Sequence, residues 1–155
     1  MADASTKQTM QAILTRFSGY EGPLLPILHA VQAEFGFIPA DVVQIIADDL
    51  NITRAEVHGV ITFYHDFRDA PAGRRIVKIC RAEACQAVGA NGLSERVLAK
   101  LGVNWHGTTA NGAVSIDPVY CLGLCACGPA AMVDNKVVGR LDDAKMDALL
   151  AEAGA

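Results

Sequence analysis

Arg75-Ile76-Val77-Lys78-Ile79-Cys80-Arg81-Ala82-Glu83-Ala84-Cys85 is the stretch on which the reading of the fold turns. Its first six residues read as a short strand that ends on a thiol. A second thiol, Cys85, follows after four intervening residues. A matching pair, Cys121 and Cys125, brackets Leu122-Gly123-Leu124 after a gap of 35 residues. Ala113 to Tyr120 alternates well enough for another strand and delivers Cys121 at its end. Two strand ends can thus present both thiol pairs at one edge of a fold. No cysteine precedes residue 80, and all five of the chain's cysteines fall between Cys80 and Cys127.

Four thiolates gathered within a few ångströms repel one another unless a cation shares their charge. An all-thiolate ligand set selects zinc or an iron–sulfur cluster. A two-iron cluster needs four thiolates, and one pair per iron suits two separated loops. Zinc also accepts spacers of roughly two to four residues, although zinc ribbons favour two, a spacing that neither pair has. No histidine stands beside either pair to make a Rieske centre. The Cys-x-x-Cys of a thioredoxin-type dithiol is absent as well. Cys127 is the odd thiol and reads as a small buried apolar side chain.

The surroundings suit an anionic group. A helix expected to begin near Gly89 would turn its positive end toward the site. Gly123 and Gly128 would let backbone N–H groups approach sulfur without an intervening Cβ.

Outward from the thiols, the second half reads β-α-β-β-β-α. Leu93, Val97, Leu98 and Leu101 line one face of a helix that Gly102 can end. Pro118 cannot donate to a ladder, which makes the second strand an edge or a bulged one. Asp134-Asn135 between Pro129–Val133 and Lys136–Leu141 suits a hairpin turn. Asp142 or Asp143 caps a last helix that turns Met146, Leu149 and Leu150 inward. Ala70-Pro71-Ala72-Gly73 is the best boundary, which divides the chain into residues 1–70 and 74–155.

The N-terminal part reads as a helical bundle without strands. Met10 to Phe17 reads as a short helix after a polar leader. Leu24, Leu25, Leu28, Val31 and Phe35 recur at helical spacing up to Gly36. Pro39 fits the first turn of a helix burying Val42, Val43, Ile46 and Leu50. Thr53-Arg54-Ala55-Glu56 matches a capping box and opens a helix with Val57, Val60, Ile61 and Tyr64 inward. These apolar faces exceed what so small a bundle can bury, so residues 1–70 are expected to bind a partner. His58 and His65 would share one helix face as interface or capping residues. His29 and His106 have no neighbours of note, and Trp105 reads as core or interface.

The chain has 155 residues, 52% of them hydrophobic, which provides a core. A net charge of −4 argues against nucleic acid. Arg74, Arg75, Lys78 and Arg81 form the one basic cluster and read as a solvated strand edge. No apolar run approaches the ~20 residues of a membrane span, and Met1 to Arg16 lacks the apolar core of a secretory signal. A soluble, cytoplasmic protein is expected, in whose reducing surroundings five cysteines point to metal or redox chemistry. Without a phosphate loop, a carboxylate pair or a Ser/His arrangement, no independent active site is expected.

Taken together, Cys-x4-Cys and Cys-Leu-Gly-x-Cys resemble the thioredoxin-like [2Fe–2S] ferredoxins, and more narrowly the 24-kDa subunit family of NADH dehydrogenase. Phe35-Gly36-Phe37-Ile38-Pro39 and Gly59-Val60-Ile61-Thr62-Phe63-Tyr64, with Phe67, extend the resemblance to the helical half. The loop wording looks most like the gamma subunit of soluble NAD-dependent, molybdenum-containing formate dehydrogenases. The resemblance implies an α+β chain, a helical bundle followed by a thioredoxin-like domain. It makes Cys80, Cys85, Cys121 and Cys125 the ligands of a [2Fe–2S] cluster and leaves Cys127 outside. It also implies an electron-transfer subunit that exchanges single electrons with FMN. Its partners would be a flavoprotein carrying FMN and the NAD site, and a larger molybdenum- and iron–sulfur-containing subunit. Respiratory NADH dehydrogenase and NAD-reducing hydrogenase are the sister alternatives, and a zinc-stabilised interaction module is the alternative of another class.

Overall fold

The computed structural model describes residues 3–155; Met1 and Ala2, where the expected 1–70 unit begins, lie outside the described residues. The chain divides into two compact units at Pro71/Ala72.

The first unit is helical: α1 (Ala4–Arg16), α2 (Leu24–Phe35), α3 (Val42–Leu50) and α4 (Arg54–Phe63). The polar leader, expected to precede a helix over Met10 to Phe17, is the first turn and more of α1, because the Asp3 carboxylate accepts from the Thr6 N–H at 2.7 Å. Helix α2 ends on Gly36 at φ +79°, the left-handed conformation that glycine adopts freely. The start of α3 lies beyond Pro39, at Val42. At α4 the capping box is complete: Thr53 N–H donates to Glu56 Oε2 at 2.7 Å, and Glu56 N–H donates to Thr53 Oγ1 at 3.2 Å. Met10, Leu14, Ile27, Leu28, Val31, Val42, Ile46 and Val57 form the core.

Two expectations for α4 need correction. The helix stops at Phe63 and Tyr64 is extended, so His65 lies outside the helix and shares no helical face with His58. Tyr64, expected inside, is 42% exposed, and Phe63 beside it is 74% exposed. His29 does have a neighbour, the Phe67 ring at 4.9 Å.

The second unit has a four-stranded sheet in the order β2-β1-β3-β4, from β1 (Arg75–Cys80), β2 (Val114–Val119), β3 (Ala131–Val133) and β4 (Lys136–Val138). Strands β1 and β2 are parallel, and the other pairs are antiparallel. Helices α5 (Glu83–Ala87) and α6 (Ala90–Leu101) connect β1 to β2, and α7 (Asp143–Ala153) closes the chain. Val77, Ile79, Val114 and Ile116 pack with Leu93 and Val97 of α6 and with Met146, Leu149 and Leu150 of α7. Arg96 ties those two helices together through Asp143 at 2.8 Å and Asp147 at 3.0 Å. Asp142 caps α7 through the Lys145 N–H at 2.8 Å.

Pro118 stands on β2, an edge strand, where its missing N–H costs nothing. The basic cluster does not lie on an edge. Its strand, β1, is paired on both sides, and its long side chains reach away from the strand instead. Arg75 meets Asp134 at 3.1 Å, and the Arg81 guanidinium lies over the Trp105 ring at 5.1 Å. Among the described residues no helix is long and apolar enough to cross a membrane.

Candidate metal centre

Strand β1 carries Cys80 to its end, and α5 brings Cys85 back beside it. That five-residue helix has no periodicity of its own to betray it in the sequence. Both thiols are 2% exposed, in a small cluster with Ala90 and Ala130. Strand β2 leads through Tyr120 to Cys121, and Cys125 opens a 3₁₀ turn at Cys125–Cys127. These two thiols are exposed. Parallel pairing of β1 with β2, with Cys80 opposite Val119, is what sets the two loops side by side.

The sulfurs interact. Cys121 Sγ and Cys125 Sγ are 3.6 Å apart, and the Gly123 N–H donates to Cys121 Sγ at 3.3 Å. Burial pushes the Cys85 thiol up, reinforced by a hydrogen bond with Cys80 and by the charges of Cys80 and Cys125; the Ala130 N–H opposes it. The Gly123 N–H holds the Cys121 thiol below its ordinary range. Cys125 is pushed up, first by its hydrogen bond with Cys121, then by the charge of Cys121 and by desolvation, with the charge of Cys80 adding to these.

Backbone geometry is specialised around them. Cys121 has φ +115°, in a region that a residue with a Cβ enters at a cost of about 1–3 kcal/mol. Gly123, at φ +76°, turns its N–H onto the Cys121 sulfur. Gly128 leaves room beside the buried pair: a Cβ there would lie 3.3 Å from Cys85 Sγ. Helix α6 begins at Ala90, after Gly89 in the left-handed region, but no side chain caps it.

Cys127 is only half-buried, contrary to the expectation of a core residue. Its backbone ties the loop of Cys121 and Cys125 down: its N–H donates to Leu124 O at 2.8 Å, and its carbonyl accepts from the Arg140 N–H. Trp105 is partly buried against the core of the sheet unit. His106 Nδ1 lies 3.4 Å from the buried Asp117 carboxylate, a neighbour that sequence reading did not supply.

The residues fit a binuclear iron–sulfur group. All four donors are thiols, a glycine cradle lies against the buried pair, and a backbone N–H already addresses sulfur. Among the described residues no three His, Cys, Asp or Glu side chains are gathered for a single ion. The sulfurs stand as two pairs, Cys80 with Cys85 and Cys121 with Cys125.

Comparison with known proteins bears on the same point. The sequence profile described as thioredoxin-like [2Fe–2S] ferredoxin matches residues 10–154. The NADP-reducing hydrogenase subunit HndA of Solidesulfovibrio fructosivorans is 35% identical over 132 residues, 85% of this chain and 77% of that one. An NADH-quinone oxidoreductase subunit of Rhizobium meliloti is 31% identical over 144 residues, 93% of this chain and 86% of that one. The crystal structure of an NAD+-reducing [NiFe]-hydrogenase superposes with a TM-score of 0.68 at 23% identity, over 85% of this chain and 22% of that chain, and shows the same fold.

Proposed function

Because the chain belongs to the thioredoxin-like [2Fe–2S] ferredoxin family and carries that family's cluster, we propose that it is the one-electron subunit of a flavin-linked, NAD-dependent oxidoreductase. More narrowly, it is the gamma subunit of an NAD-dependent molybdenum formate dehydrogenase. Cys80, Cys85, Cys121 and Cys125 are the proposed ligands. One observation carries this reading: β1 and β2 pair in parallel with Cys80 opposite Val119, which sets the two cysteine loops side by side.

When bound, the cluster stores one electron at a time. The chain's own residues define where that electron is held and how it is reached. The sheet-anchored pair, Cys80 and Cys85, excludes water from one side of the site. The exposed pair, Cys121 and Cys125, leaves the other side open to a partner. Nicotinamide chemistry moves two electrons together as a hydride, so a flavin must stand between it and a one-electron carrier. FMN on a partner flavoprotein, which also holds the NAD site, is the proposed exchange partner. The exposed Phe63 and Tyr64 of the helical unit are proposed as part of its docking surface. A larger molybdenum- and iron–sulfur-containing subunit completes the proposed complex, working in the cytoplasm.

The wording of the ligand loops supports the formate enzyme: Cys80-Arg81-Ala82-Glu83-Ala84-Cys85-Gln86-Ala87-Val88-Gly89 and Cys121-Leu122-Gly123-Leu124-Cys125. A second reading, the corresponding chain of an NADH dehydrogenase or a hydrogenase, draws support from the names of the relatives. Copurification separates the two, since only the formate enzyme brings a molybdenum protein. Electron paramagnetic resonance of the dithionite-treated chain, with iron and sulfide analysis, tests the cluster assignment itself. A silent spectrum with one zinc per chain would overturn it.

A further inference from the structure

Cys121 and Cys125 differ from Cys80 and Cys85 in access, and that difference gives them a second chemistry. We propose that the exposed pair is a thiol–disulfide modification site. Before a cluster is in place, a small-molecule disulfide of the glutathione class converts Cys121 and Cys125 to an intramolecular disulfide and leaves Cys80 and Cys85 as thiols. The inference rests on the [2Fe–2S] reading only for its timing, since a cluster held by these sulfurs would protect them.

The geometry for closure lies within one loop. Cys121 Sγ and Cys125 Sγ are 3.6 Å apart, against a bonded length of about 2.05 Å. Both residues are exposed, so a side-chain rotation that closes the gap moves through solvent and not through core. The turn between them is open, since a Cβ at Gly123 would have no atom within 4 Å. The Gly123 N–H donates to Cys121 Sγ at 3.3 Å and fixes where that sulfur sits.

Access decides which pair reacts, because thiol–disulfide exchange requires a reagent to reach the attacking sulfur. Cys80 and Cys85 also share a hydrogen bond, but each is 2% exposed. A molecule the size of glutathione meets them only through local opening of the sheet unit. Cys127 follows in the same turn, half-buried, and among the described residues its thiol has no sulfur contact.

The step balances within these groups. One protein thiolate attacks the small disulfide, breaks its S–S bond, forms a mixed disulfide and expels one small thiolate. The neighbouring protein sulfur then attacks the sulfur of that mixed disulfide and expels the second. Two protein S–H bonds and one small-molecule S–S bond are exchanged for one protein S–S bond and two small-molecule S–H bonds. The protein pair is oxidised by two electrons, and the small disulfide is reduced by them. The thiolate is the form that holds a metal, so the closed pair makes cluster insertion conditional on prior reduction.

Differential labelling of the full-length chain tests the proposal. Iron is removed with a chelator under reductant, the reductant is exchanged away, and oxidised glutathione is added at about pH 8, near the ordinary thiol pKa. Free thiols are blocked in denaturant, disulfides are reduced and labelled with a second reagent, and fragmentation mass spectrometry assigns each label. The expected result is the second label on Cys121 and Cys125, roughly tenfold faster than any loss of Cys80 or Cys85, with no glutathione retained. Cys125→Ser should stop at one glutathionyl adduct on Cys121. The iron-loaded chain should resist the same treatment. Glutathione retained on both Cys121 and Cys125, pairing with Cys127, equal oxidation of Cys80 and Cys85, no reaction, or equal oxidation of the iron-loaded chain each overturns the proposal. A chain isolated without iron and sulfide would instead sink the [2Fe–2S] reading, and the disulfide result would stand by itself.

Discussion

A single methyl group added at Gly128 measures how tightly the second cysteine loop is packed on the first. The Cβ of Gly128→Ala would lie 3.0 Å from Val88 Cγ2, 3.3 Å from Cys85 Sγ and 3.5 Å from Cys85 Cα. Backbone strain does not enter, because Gly128 has φ −68°, which alanine adopts freely. Val88 is 54% exposed and can swing into solvent. Cys85 has no such freedom: it is 2% exposed, and its N–H is bonded to Ala82 O at 3.0 Å. The sulfur must give by a few tenths of an ångström. Overpacking of this kind costs about 1–3 kcal/mol, and with one of the two neighbours free to move the lower figure applies. About 1 kcal/mol is roughly a fivefold shift in equilibrium. Iron released to a competing chelator, followed by loss of visible absorption, should therefore shift about fivefold toward release, with far-ultraviolet circular dichroism unchanged. Gly123→Ala makes a useful contrast, since nothing lies within 4 Å of its Cβ and only φ +76° opposes it. Retention of iron equal to wild type in Gly128→Ala would show that the loop does not rest on Cys85.

Cys127→Ser should keep full iron content and an unaltered spectrum, because this half-buried thiol serves the loop through its backbone; loss of iron would make it a ligand. Thr53→Ala removes one arm of the capping box and should destabilise α4 by about 1 kcal/mol, read as faster amide exchange across Arg54–Phe63. Asp147 is held below the usual carboxylate range by its hydrogen bonds to Arg96 and then Lys100. A depressed folded-state pKa contributes stability above the ordinary carboxylate pKa of about 3.9 and loses it as pH falls. The gap in melting temperature between wild type and Asp147→Asn should thus be full at neutral pH and close on acidification; a gap that widened there would reverse the assignment.

What was legible in the sequence was legible for physical reasons. The run Arg75–Cys80 announces a strand, and the complete capping box at Thr53 follows from two side chains each satisfying a backbone donor. Edge status for β2 follows from Pro118, which has no N–H to give. The family followed from cysteine spacing and loop wording together. The misses also have causes. Helix α1 is mostly solvated, so no apolar stripe marks its first turns, and only Asp3 signals where they begin. Tyr64 and Phe63 carry a helical apolar pattern outward, because periodicity records which residues are apolar and not what covers them. Strand β1 looked like an edge because its arginines look solvated. Arg75 and Arg81 escape an interior strand by reaching to Asp134 and Trp105, partners 59 and 24 positions away in the chain.

The least legible property is the asymmetry between the two thiol pairs, and it follows from the strand order. Strand β1 is interior, so its terminal thiol is covered, and α5 folds Cys85 back under the same cover. Strand β2 is the edge, so the loop that leaves it carries Cys121 and Cys125 into solvent. Covering an anion is expensive unless opposite charge or N–H donors meet it. The buried side accordingly gathers the Ala130 N–H and the close backbone of Gly128. Little compensation is needed on the exposed side, where the Gly123 N–H suffices. One sheet thus yields a site whose inner half is fixed and whose outer half is within reach of a partner. An electron carrier needs both: reorganisation on accepting charge is small where ligands are held, and transfer is possible only where the site can be approached.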